Sequence, residues 1–269
     1  MKAVSKTAYY CCGVRMQDAE SAHPLIGDKY AKTLLGKEGA EYWEEFKQFT
    51  WPNASNTARC YLIDSWVKQE LNSHPDATII LIGAGLDSRA YRFNTGRWVE
   101  IDEPAIISYK NEILPLKECN NELERIPIEF EKERLADKLQ AYVNRPFVIF
   151  IVEGVLMYLS NEQKNQMLSV LTALFPEHIL FCDLMNRKFY KKFAGQIQKK
   201  LAEHGAVFTD LADEPDRLFL EHGYTKRSQI ALPKAVTDLR LIRIPWLVRK
   251  LVFGKLIAGY SVYHFAYGE

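Results

Sequence analysis

Residues 78 to 92 read TIILIGAGLDSRAYR, and this stretch decides the fold. Thr78 to Ile82 is a short run without polar alternation, as expected of a strand buried on both faces. Gly83 and Gly85 follow at once, and a helix is expected after them. A glycine loop between a buried strand and a helix is where a doubly wound sheet holds a nucleoside cofactor. Gly83 permits the tight turn, and the missing side chain at Gly85 lets the backbone approach a ligand. Read alone, the pair also fits a strand-to-helix turn that binds nothing. Asp102 adds a second signal, because WVEIDEP places it at the end of the next strand, where a carboxylate accepts hydrogen bonds from ribose hydroxyls. An N-cap ahead of Pro104 is its plain structural alternative.

Working outward, Trp98 to Ile101, Ile126 to Phe130, Phe147 to Val152 and Ile179 to Cys182 are further short apolar runs. With the first they make five buried parallel strands. Amphipathic segments separate them, which is the pattern of an α/β doubly wound, mostly parallel sheet. The clearest helix spans 161 to 175, with Ser160 and Gln163 as a capping box and Pro176 as its stop. Another is expected near 54 to 72. The segments 1 to 50 and 184 to 225 fit no core strand and read as a helical N-terminal cover and a helical insertion over the site. One domain over 1 to 269 is expected. The terminal SVYHFAY alternates aromatic residues in the manner of a half-buried edge strand.

The chain has 269 residues, 48% of them apolar, and a net charge of +1 from 35 basic and 34 acidic side chains. That balance offers no global field for nucleic acid or an anionic membrane, and no basic aromatic platform for nucleic acid is seen. Five cysteines form no CxxC pair, no histidine and cysteine spacing suits a metal, and the start lacks a secretory apolar run. A cytoplasmic protein without metal is expected. Leu239 to Tyr260 is apolar but carries Arg240, Arg243, Arg249, Lys250 and Lys255, too many charges for stable membrane insertion. A helix packed on the sheet is expected around Trp246 to Tyr260.

The loop and Asp102 would suit NAD as well as S-adenosylmethionine. The third glycine position of a dinucleotide fingerprint is Ser88, followed by Arg89, which fits that motif's close helix packing poorly. No Tyr-x-x-x-Lys pair occurs to support a dehydrogenase's proton transfer.

Five stretches in register, SAHPLIGDKYAKTLL at 21 to 35, NTARCYLID at 56 to 64, LIGAGLDSRAYR at 81 to 92, VEIDEP at 99 to 104 and VEGVLMYLS at 152 to 160, resemble the leucine carboxyl methyltransferase family. The match points to its bacterial small-molecule and polyketide branch. It implies S-adenosylmethionine as cofactor and O-methylation of a small-molecule carboxylate or hydroxyl. Methylation of a protein's C-terminal leucine carboxylate is the alternative within the family. A regulatory protein that binds the cofactor without turnover is the alternative outside enzymes.

The resemblance puts the methionyl carboxylate on Arg59 and the ribose on Asp102. Glu153 would lie near the methionyl ammonium, Glu129 and Phe130 near the adenine, and Asp87 in the shape of the glycine loop. Glutamate stands at Glu129 where the family more commonly has aspartate, and His23 stands where an aspartate is usual. Tyr158 and Asp183 follow buried strands and are candidates for the acceptor pocket. No residue is identified as a catalytic base, and the oligomeric state is left open.

Overall fold

The computed structural model describes residues 3–243 and 257–268. Its core is a seven-stranded sheet: β1 (Thr78–Ile82), β2 (Arg97–Asp102), β3 (Glu122–Pro127), β4 (Val148–Val152), β5 (His178–Met185), β6 (Thr225–Ala231) and β7 (Tyr260–Tyr267). The spatial order is β3-β2-β1-β4-β5-β7-β6. The first five strands are parallel, and β7 runs antiparallel to both β5 and β6. The order reverses between β1 and β4, so a crevice opens at their carboxyl ends.

Apolar residues of β1, β4 and β5 are divided between two buried layers, one on each face. Ile79, Leu81, Ile149, Ile151 and Phe181 face one, and Ile80, Ile82, Phe150, Val152 and Leu180 the other. This two-sided burial is why those strands read as continuous apolar runs.

The helices are α1 (Ala3–Ala19), α2 (Ala31–Glu44), α3 (Thr50–Ser73), α4 (Arg89–Arg92), α5 (Pro104–Ile113), α6 (Leu135–Leu139), α7 (Asn161–Leu174), α8 (Arg187–Phe193), α9 (Gly195–Glu203), α10 (Arg217–Glu221) and α11 (Leu232–Asp238). α7 begins in the expected capping box, with Ser160 Oγ accepting from the Gln163 N–H and the Gln163 side chain accepting from the Ser160 N–H. α1 and α2 lie within 1 to 50, and α8, α9 and α10 make up half of 184 to 225.

Three expectations need correction. The third strand lies at Glu122–Pro127 rather than Ile126 to Phe130, and it is half exposed rather than buried. As the outermost parallel strand it needs no continuous apolar run, and the run that suggested it leaves the sheet where Ile128 donates to the Asp102 carbonyl at 2.9 Å. The terminal strand is not an edge: β7 is almost wholly buried between β5 and β6. The edge on that side is β6, which the sequence does not announce because TKRSQIA is largely polar and its register shifts between Lys226 and Ser228. The helix expected around Trp246 to Tyr260 falls mainly outside the described residues. Within them, Ile257–Gly259 is a 3-10 turn and Tyr260 already belongs to β7.

Candidate functional site

A cavity of about 1340 Å3 lies at the carboxyl ends of β1, β2 and β4. Gly83, Gly85, Asp87, Asp102, Phe130, Arg59, Glu153 and Tyr158 all line it. The fold therefore gathers residues from widely separated stretches of chain around one space.

The glycine loop forms one wall. Gly83 and Gly85 have φ of 73° and 51°, conformations that side chains resist. A Cβ on Gly83 would stand 2.5 Å from Val155 Cγ2, and one on Gly85 would stand 3.2 Å from the Ala8 Cβ. The wall is thus bare backbone held close to α1 and to the loop after β4. Asp102 closes it from the side: one carboxylate oxygen accepts from the Gly85 N–H at 2.6 Å and the other from the Glu103 N–H at 2.6 Å. Burial raises the Asp102 carboxyl to about 6, against the pull of those two N–H groups. Asp102 is therefore a carboxylate at neutral pH with lone pairs left beyond its two backbone bonds.

The opposite wall is a buried ion network. Arg59, on α3, donates from Nε to Glu153 at 3.0 Å and from one terminal nitrogen to Asp183 at 3.0 Å and the Tyr260 hydroxyl at 2.9 Å. Among the described residues its other terminal nitrogen meets only the Cys11 thiol, at 3.6 Å. A thiol is a weak acceptor, so that nitrogen keeps a strong donor for a ligand carboxylate.

Glu153 is shared. Its second oxygen accepts from Arg89 at 2.7 Å, and Arg89 also bonds Asp64 at 2.6 Å and Asp87. Burial raises the Glu153 carboxyl, but Arg89 and Arg59 outweigh it and hold it below the usual carboxylate range. Asp87 behaves alike: burial pushes it up, yet Arg89 and Arg15 bring it to about 2.

Two of the candidate residues lie outside the lining of the cavity. Asp183 does not line the cavity but is wholly buried, bonding the Gly154 N–H at 2.6 Å, Arg59 and Tyr260. It is a support for Arg59, because β5 runs one strand away from the crevice. Glu129 is turned to Lys132 at 2.5 Å and is not part of the lining, whereas Phe130 and Glu131 are. Phe130 is 39% exposed, an apolar ring offered to the cavity. Tyr158 does line it, with its ring edge-on to Phe208 at 5.2 Å, so the insertion after β5 covers this end.

Sequence reasoning missed Arg89, Asp64 and Tyr260. Arg89 is only 1% exposed, whereas the sequence singles it out only as the residue after Ser88 that fits a dinucleotide fingerprint poorly. A buried arginine two residues after Asp87 in a very short helix is visible only once Glu153 and Asp64 are known to converge on it. Arg15 also belongs here: it donates to Asp28 at 2.8 Å and to the Leu86 carbonyl at 2.5 Å, fastening α1 to the glycine loop. The stretch around His23 wraps the Asp18 carboxylate, which accepts the N–H groups of Leu25, Ile26 and Gly27. No histidine lines the cavity among the described residues. His178 lies at the opposite end of β5, bonded to Phe175 and Tyr224.

Residues 10–172 match the family model described as leucine carboxyl methyltransferase. The tetracenomycin polyketide synthesis O-methyltransferase TcmP of Streptomyces glaucescens is 26% identical over 171 residues, which are 62% of this chain and 61% of that protein. The chain thus spans about three fifths of the length of the first curated relatives it matches. Among solved structures, a DUF574 family protein from Streptomyces avermitilis superposes with a TM-score of 0.59 at 14% identity, covering 93% of this chain and 99% of that one. Magnesium protoporphyrin IX methyltransferase from Synechocystis, crystallised with bound SAH, gives 0.52 at 9% identity, covering 87% and 96%. The architecture is the Rossmann-like one of class I methyltransferases.

Proposed function

Because the chain belongs to the leucine carboxyl methyltransferase family, we propose that it transfers a methyl group from S-adenosylmethionine to an oxygen, carboxylate or hydroxyl, of a small molecule. One observation carries the reading: a single cavity is lined both by the glycine loop with Asp102 and by the Arg59–Glu153 wall. A nucleoside fits the first and an amino acid the second, and S-adenosylmethionine is both in one molecule. The volume also exceeds the range of about 300–1,000 Å3 usual for a single small ligand, which leaves space for an acceptor.

When bound, the cofactor supplies an electrophilic methyl carbon on a sulfonium. The residues of this chain do the positioning. Asp102 takes the ribose hydroxyls on the lone pairs its backbone bonds leave, and the bare Gly83 to Gly85 backbone lets the nucleoside settle against it. Phe130 offers an apolar face to the base. Arg59 takes the methionyl carboxylate on the nitrogen now facing Cys11, and Asp183 and Tyr260 keep its guanidinium in plane. Glu153, kept ionised by two arginines, offers negative charge near the ammonium. Tyr158 and the helix α1 border the acceptor, whose oxygen must lie in line with the methyl carbon, a task of orientation. A carboxylate acceptor arrives ionised and needs no general base, and among the described residues no histidine lines the cavity to act as one.

The test is calorimetric titration with S-adenosylmethionine and S-adenosylhomocysteine, with NAD as the control. Binding of the first two and not of NAD is expected, followed by formation of S-adenosylhomocysteine with carboxylate or phenolic acceptors. Binding of NAD alone would overturn the reading.

A further inference from the structure

Between Asp183 and Glu203 the chain has no acidic residue, while Arg187, Lys188, Lys191, Lys192, Lys199 and Lys200 are basic. All but Lys200 are exposed. Lys188, Lys191 and Lys192 are spaced to share one face of α8, and none of them forms an ion pair among the described residues. Lys192 stands 5.4 Å from the centroid of Phe193, a ring left 48% exposed. A short helix thus shows lysines beside a half-exposed aromatic ring that packs on Phe189 at 5.0 Å.

A second acid-free stretch meets this surface. From Leu239 to Gly268 there is no aspartate or glutamate, and Arg240 and Arg243 are exposed where it begins. Its described return, Ile257–Gly259, abuts α8: the Asn186 N–H donates to the Gly259 carbonyl at 2.6 Å, and a Cβ on Gly259 would touch Phe189. Acids come near the start of α8, since the Arg187 side chain and N–H donate to the Leu211 and Ala212 carbonyls at 2.9 Å, next to exposed Asp213 and Glu214, and the cationic side is the α8 face of Lys188, Lys191 and Lys192. That side lies at the carboxyl edge of the sheet, because α8 follows directly from the end of β5.

We propose that the α8 surface docks on an anionic lipid bilayer, with the lysines at the headgroups and Phe193 in the interface. Basic side chains beside an exposed aromatic ring are what such a boundary selects. Docking there turns the carboxyl edge toward the bilayer, and it stands independently of which ligand fills the cavity.

Flotation of the full chain with phosphatidylcholine vesicles, with and without phosphatidylserine, tests it. Binding only to the phosphatidylserine vesicles, weakened by salt, is expected. The variant Lys188→Gln/Lys191→Gln/Lys192→Gln should partition on the order of a hundredfold less, at roughly fivefold per lysine, with cofactor titration unchanged as the check on folding. Phe193→Ala should weaken vesicle binding but leave retention on poly-L-glutamate alone. Equal binding to neutral vesicles, no binding to either, or undiminished binding by the triple variant would each overturn the proposal. So would a Phe193→Ala variant indistinguishable from the parent, which would assign the patch to a soluble polyanion instead.

Discussion

Two buried ion clusters lie on either side of the glycine loop, and they are built to opposite ends. Around Glu153, the cations Arg59, Arg89 and Arg92 are met by Glu153, Asp183, Asp87 and Asp64, so acids exceed bases by one. One arginine nitrogen there faces only a thiol. Under β2, Glu100 alone holds both Lys110 at 2.7 Å and Arg125 at 2.8 Å, with all three side chains fully buried. Arg125 is completed by Asn111, the Leu114 carbonyl and the Tyr91 hydroxyl, while Glu100 Oε1 has no hydrogen-bond partner among the described residues. The first cluster borders the cavity, and the second is sealed. A buried charge near a ligand keeps spare bonding capacity, whereas a sealed one depends wholly on its partners.

The sealed cluster should therefore give the largest loss on disruption. Glu100→Gln leaves two cations buried against a neutral amide, and about 3–5 kcal/mol of stability should go, read from urea midpoints. Lys110→Met should be far milder, since Arg125 still balances Glu100 and a thioether chain fills the same space. Equal losses in the two variants would show that the cluster is not governed by its single acid.

The open cluster should respond in ligand affinity as well. Arg59→Ala should weaken S-adenosylmethionine binding by at least ~1 kcal/mol, about one charge-assisted hydrogen bond, beyond any fall in stability from stranding Glu153 and Asp183. Wild-type affinity in calorimetry would break the contrast, because both clusters would then be structural only.

This division also explains what could be read in the sequence. Strands β1, β4 and β5 are buried on both faces, so their apolar runs announce them. β3 and β6 are outer strands whose exposed positions erase that signal, and β7 is misjudged because an antiparallel strand can be interior only if another element covers it. Asp102 and Glu153 stand out in the sequence because each ends or follows a strand, and Arg59, within α3, only through the family resemblance; all three line the cavity. Arg89 and Asp183 were not assignable, since their partners come from distant parts of the chain. Neither was the Glu100 triad, whose members look like ordinary charges on a strand and a helix.

Asp102 sharpens the comparison through pH. Its carboxyl is raised from 3.8 to about 6 in the folded protein, by burial first and despite two backbone donors. Between those values the folded state binds more protons than the unfolded one, so stability falls as pH rises through this window. Glu153 and Asp87 have lowered values, and their contribution is lost only as pH falls below the ordinary carboxylate range. Asp102→Asn should flatten the decline between pH 3.8 and about 6. Ribose hydroxyls donate best to the ionised form, so cofactor affinity in the parent should weaken as pH drops below about 6. The variant should lose affinity at neutral pH and most of this pH dependence. A parent whose affinity is flat across that range would separate Asp102 from the nucleoside.

The smallest expected effect calibrates both clusters, because it involves neither. Ser160 caps α7 by accepting the Gln163 N–H at 3.2 Å, and Gln163 returns a bond to the Ser160 N–H at 2.8 Å. Both groups are exposed, so removing the hydroxyl strands no buried charge, and water can reach the freed N–H. Ser160→Ala should cost about 1 kcal/mol of stability. Gln163 and the neighbouring residues 162, 165 and 166 also border the outer end of the cavity. A loss confined to the helix would leave cofactor affinity untouched. Were affinity to fall with stability, the outer end of α7 would have to be counted with the Arg59 wall, and the line between the open cluster and the rest of the fold would move.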